Sequence, residues 1–223
     1  IRTFNGCGHR AWGATIGKGQ LKLDPKKTQL LLKEETDDWK GDDRSFVREA
    51  YWEIIKAVGL AKNLGYIPSG KFPSAKRLCT PEQFHASLEE KPSALLRTLV
   101  DTLLFRSIKA AYEGWIDYDD QIYMPTLFGG TFPRFPHVLG DEVQDLNPVN
   151  HEMLKRLVTD RLSAVGDKYQ SIYAFRGAVQ SGMGDIRSKF SCTEATLSTS
   201  FRCTQAIVEA ARWREPGFRW LKP

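Results

Sequence analysis

This chain of 223 residues lacks several things, and each absence narrows what it can be. No apolar run approaches the length of a bilayer-spanning helix. The opening, IRTFNGCGHRAW, has no signal-peptide shape and no initiator Met. It reads like the middle of a strand in an internal piece of a longer protein. The four cysteines, Cys7, Cys79, Cys192 and Cys203, are far apart and form no CxxC pair. That argues against a zinc site and for a reduced, cytosolic chain. No segment has the P-loop spacing, four residues between glycines and then Lys followed by Ser or Thr. The nearest stretch, Gly13 to Gly19, has three intervening residues and Gly19 where the hydroxyl should be, so it reads as a flexible turn. What is present fits a soluble globular protein of one large domain or two small ones, 41% hydrophobic and 26% charged. A net charge of +5 permits contact with nucleic acid without requiring it.

The stretch from His137 to Ala178 organises the rest. Two short apolar runs each end in acid: Val138-Leu139 before Asp141-Glu142, and Leu162 to Val165 before Asp167. Such runs, separated by a helical segment, predict neighbouring strands of a buried parallel sheet. Ligands in such sheets sit beyond the carboxyl ends of the strands, where Asp141, Glu142, Asp167 and Gln170 fall. An aspartate at a strand tip can hold Mg²⁺ beside nucleotide phosphates. A neighbouring glutamate can orient and deprotonate water, and a glutamine can sense a γ-phosphate through its donor and acceptor. Tyr173 and Phe175, with Arg176 beside them, suit the stacking of unpaired bases, although two buried core aromatics would read the same way.

These residues carry a resemblance. Asp141-Glu142-Val143-Gln144-Asp145 resembles motif II (Walker B) of UvrD/Rep-like superfamily-one DNA helicases. Gly166 to Ala178 is similar to their motif III, GDxxQSIYxFRGA, and Leu197 to Arg202 to motif IV. Thr3-Phe4-Asn5-Gly6 is a looser match to motif Ib, with Asn and Gly where the family has His and Ser. Gly114 to Ile122 looks like the family's segment that precedes motif II. Gly140 departs from the family, which has an apolar residue there.

The resemblance implies an α/β fold, a RecA-like P-loop NTPase motor core with a parallel sheet and an inserted, mainly helical subdomain. Residues 1–19 and 114–192 would belong to the first motor domain, 20–113 to the insertion, and 193–223 to the start of a second motor domain. It implies ATP and Mg²⁺ as cofactors. Asp141 would hold the metal, Glu142 would activate water, and Gln170 and Arg202 would read the γ-phosphate. Thr3, Tyr173, Phe175 and Arg176 would contact single-stranded DNA near a junction with duplex. The implied setting is the cytoplasm of a bacterial or phage-infected cell, or a eukaryotic nucleus, in DNA repair or replication. Neither membrane attachment nor an oligomeric state is implied.

Along the chain, Leu21, Leu23 and Leu30 to Leu32 can pack, and Asp24-Pro25 marks a helix start. The pattern predicts a loop over 37–43 and one helix over 45–63, with Val47, Tyr51, Ile54, Ile55 and Val58 on its apolar face and Trp52 beside it. Lys71, Lys76 and Arg77 read as a solvated basic loop. Thr80 caps a short helix, and Ser93 caps a long one that runs to Glu113. No strand is predicted between Gln20 and Glu113. The acids Asp117, Asp119 and Asp120 read as helix capping plus surface charge. Asn147-Pro148 opens a helix to Val158 whose apolar side packs on the sheet. Gln180 to Lys189 reads as a linker, Ala195 to Leu197 as a strand and Gln205 to Ala211 as a helix.

Two functional classes remain open. One is part of an ATP-dependent DNA helicase, with this chain alone turning over little ATP for want of a phosphate cradle. The other is a non-catalytic relative that binds single-stranded DNA or a protein partner. A DEAD-box RNA helicase fits less well, because that family has a D-E-x-D core and no QSIYxFRGA segment.

Overall fold

The computed structural model describes residues 2–88, 91–170 and 182–221. The chain folds as two compact units, Ile1–Ile186 and Arg187–Pro223. Among the described residues the fold is α/β: about half of them are helical, and every strand pair is parallel. No helix among them is long and apolar enough to cross a membrane.

In the first unit the chain enters as helix, not strand. Thr3 caps α1 (Phe4–Thr15), its hydroxyl accepting a hydrogen bond from the Gly6 amide. The cap prevails because it supplies an acceptor to an orphan amide of the first turn. The expected turn at 13–19 is thus partly the end of α1, with the turn itself starting at Ile16. After it, β1 (Lys22–Leu23) leads to α2 (Lys27–Thr36). Leu21, Leu31 and Leu32 are buried, whereas Leu23 and Leu30 are exposed.

The single helix expected over 45–63 is two: α3 (Gly41–Glu49) and α4 (Tyr51–Leu64). The break falls at Ala50, whose backbone (φ −89°, ψ 12°) leaves the helical region. The bend puts Val47, Ile54 and Val58 into one core and leaves Trp52 in solvent. Next come α5 (Pro81–Ala86), α6 (Ala94–Tyr112), β2 (Trp115–Ile116) and α7 (Asp120–Leu127). Thr80 and Ser93 cap α5 and α6 as their sequence predicts. The absence of strands over 20–113 does not hold, since β1 pairs with β2. A two-residue pairing of this kind carries no alternation for a sequence pattern to reveal.

Two apolar clusters hold these helices. One joins Leu32, Ile54, Val58, Leu99 and Leu103, with Tyr66 stacked on Phe84 at 4.7 Å. The other joins Trp12, Ile67, Ile108, Ile116, Met124 and Val149. Each fully buried Leu or Ile contributes about 1.5–3 kcal/mol. Gly8 lets α1 lie against α7: a Cβ there would stand 1.9 Å from the Gln121 carbonyl oxygen.

The organising stretch then folds as β3 (Phe135–Gly140), a 3₁₀ turn (Val143–Asp145), α8 (Pro148–Leu157) and β4 (Val158–Ala164). Asn147 and Asn150 close a reciprocal capping box on α8. Val158 opens β4 instead of ending the helix, so the second strand starts earlier than its apolar run. The packing of α8 also differs from expectation. Met153 and Leu157 meet Cys7 and Phe4 of α1 and Ile122 of α7. α9 (Gly182–Phe190) replaces the expected linker. Buried Ile186 anchors it, Asp185 lies in its first turn, and Arg187 and Lys189 in its last suit the helix dipole.

In the second unit, β5 (Thr199–Ser200) pairs in parallel with β6 (Arg219–Trp220), and α10 (Gln205–Ala211) lies between them in the chain. The strand thus forms just after the expected 195–197, whereas α10 matches its predicted bounds.

Candidate nucleotide site at the ends of two parallel strands

β3 and β4 are parallel neighbours, with Val138 opposite Leu162 and Gly140 opposite Ala164. The pairing continues past their ends: the Val165 amide donates to the Gly140 carbonyl at 2.8 Å, and the Val143 amide donates to the Val165 carbonyl at 3.1 Å. This brings the loops that follow the two strands together. The turn is tight at Gly140, where a Cβ would come 2.9 Å from Val143 Cγ1. The sheet itself is less covered than expected. Leu139 is 76% exposed and Val165 55%, and among the described residues no third strand joins this pair.

Asp141 and Glu142 are exposed at the end of β3. Asp141 Oδ1 accepts a hydrogen bond from the Glu142 amide at 3.0 Å. Glu142 has a left-handed backbone (φ +52°), a conformation uncommon outside glycine that concentrates at functional sites. The chain then turns at once into the 3₁₀ turn, with buried Val143 fastening it to the core. On the adjacent loop, Asp167 Oδ1 accepts from the Tyr169 amide at 2.9 Å, and its Oδ2 accepts from Gln170 Nε2 at 2.8 Å. Asp141, Glu142 and Gln170 therefore share one end of the sheet. An exposed carboxylate with one oxygen tied to backbone suits Mg²⁺, which takes one or two protein carboxylates and keeps water and phosphate as its other ligands. No cluster of three or more metal-binding side chains occurs among the described residues.

The other predicted residues are placed differently. Thr3 lies exposed at the N-terminus of α1. Its hydroxyl accepts from Gly6 and still has a proton to donate. Arg202 follows β5 in the second unit and is exposed. Tyr173, Phe175 and Arg176 lie outside the described residues. All four cysteines are free. In the basic loop, Lys76 pairs with Glu152 at 2.6 Å, and Arg77 donates to the carbonyls of Lys71 and Phe72, so these charges are engaged rather than simply solvated.

Sequence reasoning missed two features. Gln144 is buried at 3% exposure and touches both site loops, a role that the acids on either side of it conceal in the sequence. The second is a charge network where surface acids were expected. Lys27 Nζ meets Asp120 Oδ2 at 2.6 Å, and Lys62 Nζ meets Asp117 Oδ2 at 2.6 Å and Asp120 Oδ1 at 2.8 Å. Burial works against the Asp120 charge, but Lys62 and Lys27 outweigh it and hold the carboxyl at about 2. Burial also opposes the Lys62 ammonium, and Asp117 and Asp120 overcome it and raise its pKa. Burial and the nearby Asp117 push Asp119 up to about 6. The capping part of the expectation holds, since Asp117 Oδ1 accepts from the Asp120 amide.

Comparison with known proteins gives these features a context. A family model described as the UvrD/REP helicase N-terminal domain matches residues 20–191. The ATP-dependent DNA helicase UvrD1 of Mycobacterium tuberculosis is 33% identical over 154 residues, covering 60% of this chain and 20% of that protein. A probable DNA helicase II homolog of Mycoplasma pneumoniae is 36% identical over 83 residues, covering 35% of this chain and 12% of its own length. DNA helicase II of Haemophilus influenzae is 35% identical over 80 residues, covering 35% of this chain and 11% of its own length. The chain thus spans a fifth or less of the length of these relatives.

Proposed function

The chain belongs to the UvrD/REP helicase family, and from that premise we propose that it is the motif-bearing part of an ATP-driven motor that moves on single-stranded DNA and unwinds duplex. One observation carries the reading: the carboxylates after β3 and the Asp167–Gln170 loop after β4 meet at the carboxyl ends of two paired parallel strands. Family membership implies a RecA-like α/β core, and Leu139 and Val165 offer the apolar surface on which more of such a core would pack.

In this reading Asp141 would hold Mg²⁺, which would supply neutralising positive charge to the nucleotide's phosphates. Glu142 orients a water in line with the γ-phosphorus and takes its proton as the new oxygen–phosphorus bond forms and ADP leaves. Gln170 donates to the γ-phosphate or to that water. Arg202, from a second motor domain, neutralises charge that develops in the transition state. Thr3 donates to a DNA phosphate from the helix N-terminus, where anions are favoured. Tyr173, Phe175 and Arg176 stack on unpaired bases directly after the sensing loop, so that the nucleotide state and the grip on DNA change together.

The test is ATP turnover by the full-length protein with and without single-stranded DNA. The reading expects hydrolysis that requires Mg²⁺ and is stimulated by the DNA. DNA binding with no hydrolysis under any condition would overturn it in favour of a binding module.

A further inference from the structure

We propose that Gln144 is a positioning residue that holds the Glu142 carboxylate and ties it to the nucleotide-sensing loop. The inference rests on the function proposed above. Gln144 Nε2 donates to Glu142 Oε2 at 2.7 Å, and its Oε1 accepts from the Asp167 amide at 3.1 Å. The orientation of the amide follows from its partners. A backbone N–H can only donate and an ionised carboxylate can only accept, so the oxygen faces Asp167 and the nitrogen faces Glu142. Glutamate at 144 would keep the acceptor and lose the donor, and lysine would do the reverse. Only an uncharged side chain with both functions and this length makes the bridge.

The surroundings are shaped to it. A Cβ at Gly166 would stand 2.4 Å from Gln144 Oε1, and one at Gly182 would stand 3.0 Å from the Gln144 carbonyl oxygen. Two glycines thus keep clear the space that residue 144 fills. The left-handed backbone of Glu142 and the 3₁₀ turn after it bring the side chain of residue 142 back over residue 144. From Gln144 the bonds run on through Asp167 to Gln170 Nε2 at 2.8 Å. A shift of Gln170 on meeting or losing a γ-phosphate therefore moves Asp167, and through Gln144 it moves the carboxylate that positions water.

The test compares Gln144→Leu and Gln144→Glu with Glu142→Gln in the full-length protein. Steady-state kinetics are measured with saturating single-stranded DNA, together with ATP binding and thermal melting. The expected result is a fall in kcat of about 10–100-fold for both Gln144 variants, the scale of a misplaced catalytic group. KM and ATP affinity should stay within about twofold, because the lost interaction serves the transition state. If Gln144→Leu fails to fold, the near-isosteric Gln144→Glu still decides the matter. Wild-type kcat in either folded variant overturns the proposal, as does a loss that appears only in ATP binding or melting. Turnover retained by Glu142→Gln would instead overturn the functional reading beneath it.

Discussion

The charges around Asp120 and the carboxylates after β3 follow opposite rules. Asp120 has no exposed side-chain surface and is gripped by two lysines from α2 and α4. Asp141 and Glu142 stand in solvent, with hydrogen bonds to neighbours in their own turn. A buried charge is tolerable only when its partners are fixed, so the first cluster fastens helices together. An exposed carboxylate keeps free capacity for a cation or a water, so the second is available for chemistry. Within one unit, the acids that fasten helices and the acids that keep free capacity are thus different residues.

The comparison breaks most severely at Asp120. Asp120→Asn takes from Lys27 the carboxylate it pairs with and leaves Lys62 paired with Asp117, and removing one partner of a buried pair costs about 3–5 kcal/mol. Urea denaturation of the chain should show a loss of that size, whereas Asp141→Asn should change stability by less than about 0.5 kcal/mol. A smaller effect is expected from pH. Asp120, held at about 2, contributes stability that is present above the unfolded value of about 4 and is lost as pH falls toward 2. Asp119, pushed up to about 6, acts in the other direction: ionising it costs stability as pH rises from about 4 through 6. The denaturation midpoint should therefore peak near pH 4. Asp119→Asn should flatten the decline on the alkaline side, and an unchanged decline would remove Asp119 from the account. The mildest break is Asn147→Ala, which deletes the cap of α8 and should cost about 1 kcal/mol in the same assay.

What the sequence disclosed follows the same division. The caps at Thr80, Ser93 and Asn147 and the bounds of α10 were legible because each rests on residues within a turn of one another. The pairing of β3 with β4 was legible because two apolar runs ending in acid flank one helix. Lys27 and Asp120 were not matched, since they lie 93 positions apart and neither carries a local sign of its partner. α9 was hidden by its glycines, although Ile186 supplies the buried anchor. Gln144 sits between Val143 and the residues leading to Leu146, both buried, and an amide in that company signals an internal hydrogen-bonding task.

The most direct measurement is ATP hydrolysis and ATP binding by the full-length protein carrying Glu142→Gln. The account predicts a kcat lower by about 10²–10⁴, the usual contribution of a positioned general base, with ATP affinity and melting unchanged. Turnover at the wild-type rate would contradict it and remove Glu142, and the strand-end site with it, from the chemistry.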